Sequence, residues 1–246
     1  MEKLSIIIPV YNDHTALAKA IPASIMALDT LPYPFEIIIA EDAGCDGSYA
    51  ISKKFAASDK RIRLNYSETR RGKGGAISDA AKIASGDIIC FYDVDLSTEL
   101  SVLQPLINAI HLGNDIAIGS RYLPQSSITR TCNRKYAGKL FVYLARVLLG
   151  GGVTDYQCGC KAFTHESLNT LMSYTRTRGW TWDTEILALA QRAGYKIAEV
   201  PVIWNENDRT TLKWRDTFKM GWEVFTFAWR IRMCGHHPVK NTHTKE

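Results

Sequence analysis

Over its first 120 residues the chain alternates short apolar runs with stretches of helical character, and this alternation constrains the fold more than any other feature. Leu4 to Val10, Phe35 to Ala40, Arg61 to Tyr66, the run ending at Asp93 and Asp95, and Asp115 to Gly119 read as strands. Helical character fills the gaps over Ala16 to Leu28, a segment that Asp46 can cap and that ends near Ser58, Ala76 to Ala84, and Thr98 to His111. Strands alternating with helices imply a parallel sheet with helices on both faces. In such sheets, ligands bind beyond the carboxyl ends of the strands.

Three of those ends carry polar or acidic clusters: Tyr11 to Asp13, Glu41 with Asp42, and Asp93 with Asp95. In an extended chain residues i and i+2 point the same way, so Asp93 and Asp95 are expected to converge at one strand tip. Two neighbouring carboxylates repel each other and are costly at a largely apolar strand end. A divalent cation between them removes that cost. Hard oxygen ligands favour Mg²⁺ or Mn²⁺, and such ions usually complete their shell with substrate phosphates. Taken alone, an Asp-x-Asp also suits a solvated turn or a helix cap. Beside it, Arg70 to Gly75 forms a glycine-rich basic loop whose charge and N–H groups suit a phosphate or a base edge.

The balance of 30 Lys and Arg against 25 Asp and Glu in 246 residues is mildly basic. It suits an anionic ligand or a membrane surface and lies far from the extreme of nucleic-acid binders, so nucleic acid is not an expected partner. There is no apolar run of about 18 residues and no secretory leader layout after Met1, which leaves no simple membrane span. Six cysteines, at 45, 90, 132, 158, 160 and 234, contain no Cys-x-x-Cys and no zinc spacing, so reduced thiols are expected.

Beyond Gly119 the pattern changes. A polar loop starting at Ser120-Arg121-Tyr122 holds Arg130, Arg134 and Lys135, with no acid between Asp115 and Asp155. It is either a solvated basic loop or a clamp for a phosphate-bearing substrate, since Arg offers forked donors. Asp155 to Phe163 is expected as a crossing strand, and a helix over Ile186 to Ala193 follows Trp182-Asp183-Thr184-Glu185, where Asp183 or Thr184 can be an N-cap. Tyr195 to Trp204 reads as one strand, or two broken at Pro201. Residues 135–149 and 213–233 look like helices with wide apolar faces; in the second, Lys219, Glu223, Thr226 and Arg230 form the polar stripe. Such helices are either buried or lie in a membrane interface with Trp at its boundary, and they offer a pairing surface for each other, for a second copy or for a membrane protein. The tail 236–246 is expected to be disordered.

The full set resembles glycosyltransferase family 2, the inverting nucleotide-sugar transferases of the GT-A fold. Within it, the chain is most similar to the dolichyl-phosphate (polyprenyl-phosphate) glucosyl- and mannosyltransferases. The residues carrying the match include Pro9-Val10-Tyr11-Asn12, Glu41-Asp42, Arg71-Gly72-Lys73-Gly74, Asp93-Val94-Asp95-Leu96-Ser97, Gly119-Ser120-Arg121-Tyr122, Asp155-x-Gln157-Cys158-Gly159 and Trp182-Asp183-x-Glu185. The chain departs from the pattern at Ala43-Gly44, where Gly-Ser is commoner, at Cys160, where an aromatic is usual, and at Arg209-Thr210-Thr211.

The resemblance implies an α/β GT-A catalytic domain over 1–212, with a nucleotide-sugar half (1–120) and an acceptor half (121–212), followed by an amphipathic helix over 213–235. It implies that Pro9, Tyr11, Asp13, Asp42, Gly72, Lys73, Asp93 and Val94 bind the nucleotide sugar, and that Asp93 and Asp95 hold Mg²⁺ or Mn²⁺. Arg121, Arg134 and Arg209 would grip an acceptor phosphate on a polyprenyl or dolichyl carrier, placing the enzyme at the cytoplasmic face of a membrane. Asp183 is catalytic or structural. A phosphate nucleophile is anionic at neutral pH and needs no base, whereas a sugar or lipid hydroxyl does. The blocks at 155 and 182 favour UDP-glucose as donor, with GDP-mannose next. Two other readings remain: transfer to a hydroxyl with Asp183 as base, and a non-catalytic nucleotide-sugar-binding protein.

Overall fold

The computed structural model describes residues 2–129, 149–206, 214–233 and 238. Nine strands and seven α-helices are described. In chain order they are β1 (Leu4–Val10), α1 (His14–Asp29), β2 (Phe35–Asp42), α2 (Ser48–Ser58), β3 (Ile62–Ser67), α3 (Lys73–Ala81), β4 (Ile88–Tyr92), α4 (Leu103–His111), β5 (Ile116–Ser120) and β6 (Ser127–Thr129). The series continues with β7 (Cys160–Thr164), α5 (His165–Tyr174), α6 (Trp182–Arg192), β8 (Ile197–Pro201), β9 (Ile203–Asn205) and α7 (Trp214–Met233).

Seven strands form one sheet in the order β3-β2-β1-β4-β7-β5-β8, and β6 pairs with β9 in a small second sheet. All neighbours in the main sheet are parallel except β7, which runs antiparallel between β4 and β5. The mixed α/β sheet flanked by helices is the architecture expected from the alternation. The break at Pro201 sends β8 and β9 into different sheets, because proline has no N–H to continue a ladder.

Successive side chains of β1 enter different layers. Leu4, Ile6, Ile8 and Val10 pack with α1 and α4, through Leu17, Ile21, Leu106 and Ile107. Ile7 packs on the other side with Ala76 and Ile77 of α3, Leu168 of α5, Ile186 of α6 and Phe227 of α7. Each such fully buried aliphatic or aromatic side chain contributes about 1.5–3 kcal/mol.

The order in which strands are added reverses at β1, since β2 and β3 lie on one side of it and β4 on the other. This is the switch point where an open α/β sheet forms its crevice. The register shows the opening: β1 stays paired with β2 up to Val10, whereas its pairing with β4 stops at Ile7 and Phe91. Pro9, lacking a donor, sits just past that last rung.

Two local expectations are corrected. α6 begins at Trp182 after Thr181, so neither Asp183 nor Thr184 is its N-cap; Asp183 lies in the first turn, where a carboxylate opposes the helix dipole favourably. On α7 the expected polar stripe is split. Glu223 and Arg230 turn inward, accepting from Thr181 Oγ1 and pairing with buried Glu185, while Trp222 (68 % exposed), Phe225 and Trp229 face outward. The inward ion pair outweighs the helix's simple apolar periodicity. The segment 135–148, the loop with Arg209 and nearly all of the tail lie outside the described residues.

Candidate active site

The strand tips beside the crevice are strained. Asn12, Ala43 and Leu96 follow β1, β2 and β4 and take φ values of 50°, 59° and 51°, the left-handed region that non-glycine residues rarely adopt. Asn tolerates this conformation, but for Ala and Leu it costs about 1–3 kcal/mol each, a cost concentrated at functional sites. The commoner glycine at position 43 is therefore understandable: the backbone there takes a conformation suited to it.

Asp93 and Asp95 do not lie on extended strand. β4 ends at Tyr92, and the N–H of Leu96 donates to the Asp93 carbonyl at 3.1 Å, closing a turn. The pair is thus positioned by the turn, not by the pleat of the strand. Ser97 fastens Asp95, its N–H donating to Oδ1 at 3.0 Å and its hydroxyl to Oδ2 at 2.8 Å. Asp93 lies directly against Gly159, where a Cβ would fall 1.9 Å from Oδ2, so any larger residue must push the carboxylate aside.

Lys73, at the start of α3, places its ammonium 2.7 Å from Asp93 Oδ1 and 3.2 Å from Asp183 Oδ2, below the ring of Trp180. Asp183 in turn accepts from Lys161 Nζ at 2.7 Å through Oδ1. Burial pushes Asp183 up, but the ammonium groups of Lys161 and Lys73 outweigh it and hold the carboxyl below the usual range. Asp93 differs. Burial, Asp95 and Asp183 push it up against the pull of Lys73, and 39 % of its side chain remains open to solvent.

Asp42 receives the N–H groups of Arg71 at 2.5 Å and Gly72 at 2.8 Å, and Gly75 N–H donates to the Arg178 carbonyl at 3.0 Å. The loop's amides are thus used to build the site, leaving its side chains to meet a ligand. Gly72 has φ +82°, and a Cβ there would meet the Arg178 carbonyl at 2.6 Å. Arg70 stacks 3.9 Å over Tyr11. Asp13 caps α1 by accepting from Ala16 N–H at 3.1 Å. Val94 packs at the edge of the core.

Arg121, past β5, is bound in bidentate fashion by buried Asp155, at 2.7 and 2.9 Å, and lies over Trp204. Behind Asp155, Glu199 accepts from the N–H and hydroxyl of Thr154. Arg121 is thus held rigidly but is separate from the Lys73–Asp93–Asp183 chain. Arg134 and Arg209 lie outside the described residues. Among the described residues no group of three or more His, Cys, Asp or Glu is arranged to hold a metal. A pair of carboxylates completed by a diphosphate remains an ordinary donor set for Mg²⁺ or Mn²⁺, so Asp93 and Asp95 fit such an ion. The described cysteines, 45, 90, 158 and 160, are all free thiols.

A family model for glycosyl transferase family 2 matches residues 5–172. The chain belongs to this family. This family 2 glycosyltransferase is 34% identical over 233 residues to glycosyltransferase AglD of Haloferax volcanii, covering 93% of this chain but only 37% of that relative. It is 29% identical over 261 residues to the human dolichyl-phosphate beta-glucosyltransferase, covering 94% of this chain and 78% of the relative. Among solved structures, glucosyl-3-phosphoglycerate synthase from Mycobacterium tuberculosis in complex with UDP superposes with a TM-score of 0.70 at 18% identity, covering 98% of this chain and 82% of that one. The same neighbour is also known in complex with Mn²⁺ and UDP-glucose, at a TM-score of 0.69. At such identity the likeness establishes the fold.

The cluster around Asp93 and Asp183 contains one residue that the pattern of the sequence did not single out. Lys161 is fully buried in a strand of otherwise apolar residues. The signal was available: a lysine inside Cys160-Lys161-Ala162-Phe163 must have a partner, because a buried unpaired ammonium is prohibitive.

Proposed function

We propose that this glycosyltransferase moves glucose from UDP-glucose to the phosphate of a polyprenyl or dolichyl phosphate, inverting the anomeric centre. The observation that carries this reading is the state of Asp183. Both its oxygens already accept from ammonium groups, Oδ1 from Lys161 and Oδ2 from Lys73. A carboxylate so held is a poor proton acceptor, so the site suits a nucleophile that needs no base. A phosphate monoester is such a group. The names of the relatives point the same way, and they favour glucose over mannose.

Asp42 and the 70–74 loop, with Tyr11 and Asp13, would receive the uridine, and Asp93 and Asp95 would hold Mg²⁺ or Mn²⁺ at the diphosphate. Such an ion would offset the charge gathering on the departing UDP. Lys73 adds a fixed positive charge beside Asp93. Arg121, steadied by Asp155, would orient the acceptor phosphate together with Arg134 and Arg209. One phosphate oxygen forms the new bond to the anomeric carbon as the bond to the diphosphate breaks, so α-linked donor becomes β-linked product, and no proton moves.

No helix among the described residues is long and apolar enough to cross a membrane. The outward stripe Trp222, Phe225 and Trp229 on α7, with Lys219 and Arg232 near its two ends, suits a peripheral seat on an anionic lipid surface. A cytoplasmic face fits the free thiols.

The test is product analysis with UDP-glucose, GDP-mannose, Mn²⁺ or Mg²⁺ and a polyprenyl phosphate in vesicles. β-Glucosyl phosphate lipid is expected. Transfer to a hydroxyl acceptor that Asp183→Asn abolishes, with the phosphate acceptor inert, would overturn the reading.

A further inference from the structure

We propose that Lys161 is a positioning residue for the reaction: it fixes the Asp183 carboxylate so that Asp183 in turn aims the Lys73 ammonium at Asp93. This rests on the reading of Asp93 as the place where the donor diphosphate is held.

Lys161 lies on β7, the antiparallel strand beside β4, and its side chain is fully buried. An ammonium has three donors, and burial demands that each find a counterpart. One donates to Asp183 Oδ1 at 2.7 Å and one to the Cys158 carbonyl at 2.6 Å, while the Phe91 ring lies 5.5 Å away. The Cys158 carbonyl and Asp183 hold the ammonium between them at short distances, so the buried Lys161 head has little freedom. Asp183 then offers Oδ2 to Lys73, and Lys73 reaches Asp93. Four charges alternate in sign from the middle of the sheet to the crevice: Lys161, Asp183, Lys73, Asp93.

A buried pair of this kind is weak evidence for stability, since apolar residues of similar volume often serve the fold as well. Its use here lies in direction. Without Lys161, both oxygens of Asp183 would compete for Lys73 and draw it away from Asp93. With Lys161 in place, Oδ1 is occupied and Lys73 is shared between Asp93 and the remaining oxygen of Asp183. The chain of contacts joins residues of β7, α6, α3 and the turn after β4, so it registers four elements at the crevice.

The test is a double-mutant cycle on UDP affinity, measured by calorimetry with Mn²⁺ and without any acceptor. Lys161→Met is expected to weaken UDP about tenfold in the wild-type background and less than about twofold in a Lys73→Met background, because the first residue acts through the second. Equal losses in both backgrounds, or an unchanged affinity in folded Lys161→Met protein, overturn the proposal. If Lys161→Met does not fold, Lys161→Met with Asp183→Asn removes the buried charges as a pair. It is expected to show the same loss of UDP affinity, and wild-type affinity there overturns the proposal. A separate Asp93→Asn, Asp95→Asn protein that binds UDP and Mn²⁺ normally would instead remove the reading of the site, while leaving the coupling of Lys161 to Lys73 open to the same cycle.

Discussion

Glu36 and Glu41 sit at opposite ends of β2, both buried, and they are treated in opposite ways. Glu36, at the amino end, accepts from Ser5 Oγ, Ser85 N–H and Ser85 Oγ through one oxygen and from Arg63 through the other. Burial pushes its carboxyl up, but the hydrogen bonds from Ser5, Ser85 and Arg63 outweigh it and pull the group down to about 2. Glu41, at the carboxyl end, accepts from Gly44 N–H and Ser48 Oγ with Oε1, while Oε2 has no hydrogen-bond partner among the described residues. The same contrast runs across the sheet. At the amino end the polar groups are matched and the backbone relaxed; at the carboxyl end Asp93 is pushed up and three non-glycine residues adopt left-handed φ. One edge is built for stability, and the other carries strain and incomplete pairing that a ligand can resolve.

The contrast breaks most visibly if the carboxyl end can be neutralised without harm. Asp93→Asn with Asp95→Asn is expected to lower turnover about 1,000-fold, read as UDP release, with the urea unfolding midpoint unchanged. Gly159→Ala comes next. Its Cβ would meet Asp93 Oδ2 at 1.9 Å, and the displaced carboxylate should cost about 100-fold in kcat.

At the other edge the ranking should invert. Glu36→Gln is expected to lose about 2 kcal/mol of stability at pH 7 in urea unfolding, with turnover intact wherever the protein is folded. The pH dependence sharpens this. Because its folded value lies below the ordinary 4.5, Glu36 stabilises the fold above that pH and loses its effect as pH falls through about 2, so the gap between wild type and variant should close over that window. The smallest effect tests the strain itself: Ala43→Gly should gain about 1 kcal/mol by relieving the left-handed φ, raising Tm a few degrees.

The legible part of the site was the local part. Acids following apolar runs mark strand tips, and a glycine-rich basic stretch marks the loop that opens α3, because both depend on neighbours in sequence. Asp93 and Asp95 were placed at the end of β4 this way, although a turn rather than an extended strand holds them there. Asp183 was found through the resemblance, but its state was not. Whether it is a base or a strut depends on Lys73 and Lys161, which approach from α3 and β7. Likewise, the polar residues of α7 were visible, but not that Glu223 and Arg230 reach Thr181 and Glu185.

Periodicity and composition along the chain were enough to determine a layered α/β sheet and the acids that gather at the carboxyl ends of its strands, because strand burial and turn chemistry act over a few residues. Only tertiary structure decided the order of the strands, the antiparallel entry of β7 beside β4, and the charge relay that this entry completes. Ion pairs between residues 73, 93, 161 and 183 exist only once separate elements are brought within 3.2 Å of one another, and no local pattern encodes that distance.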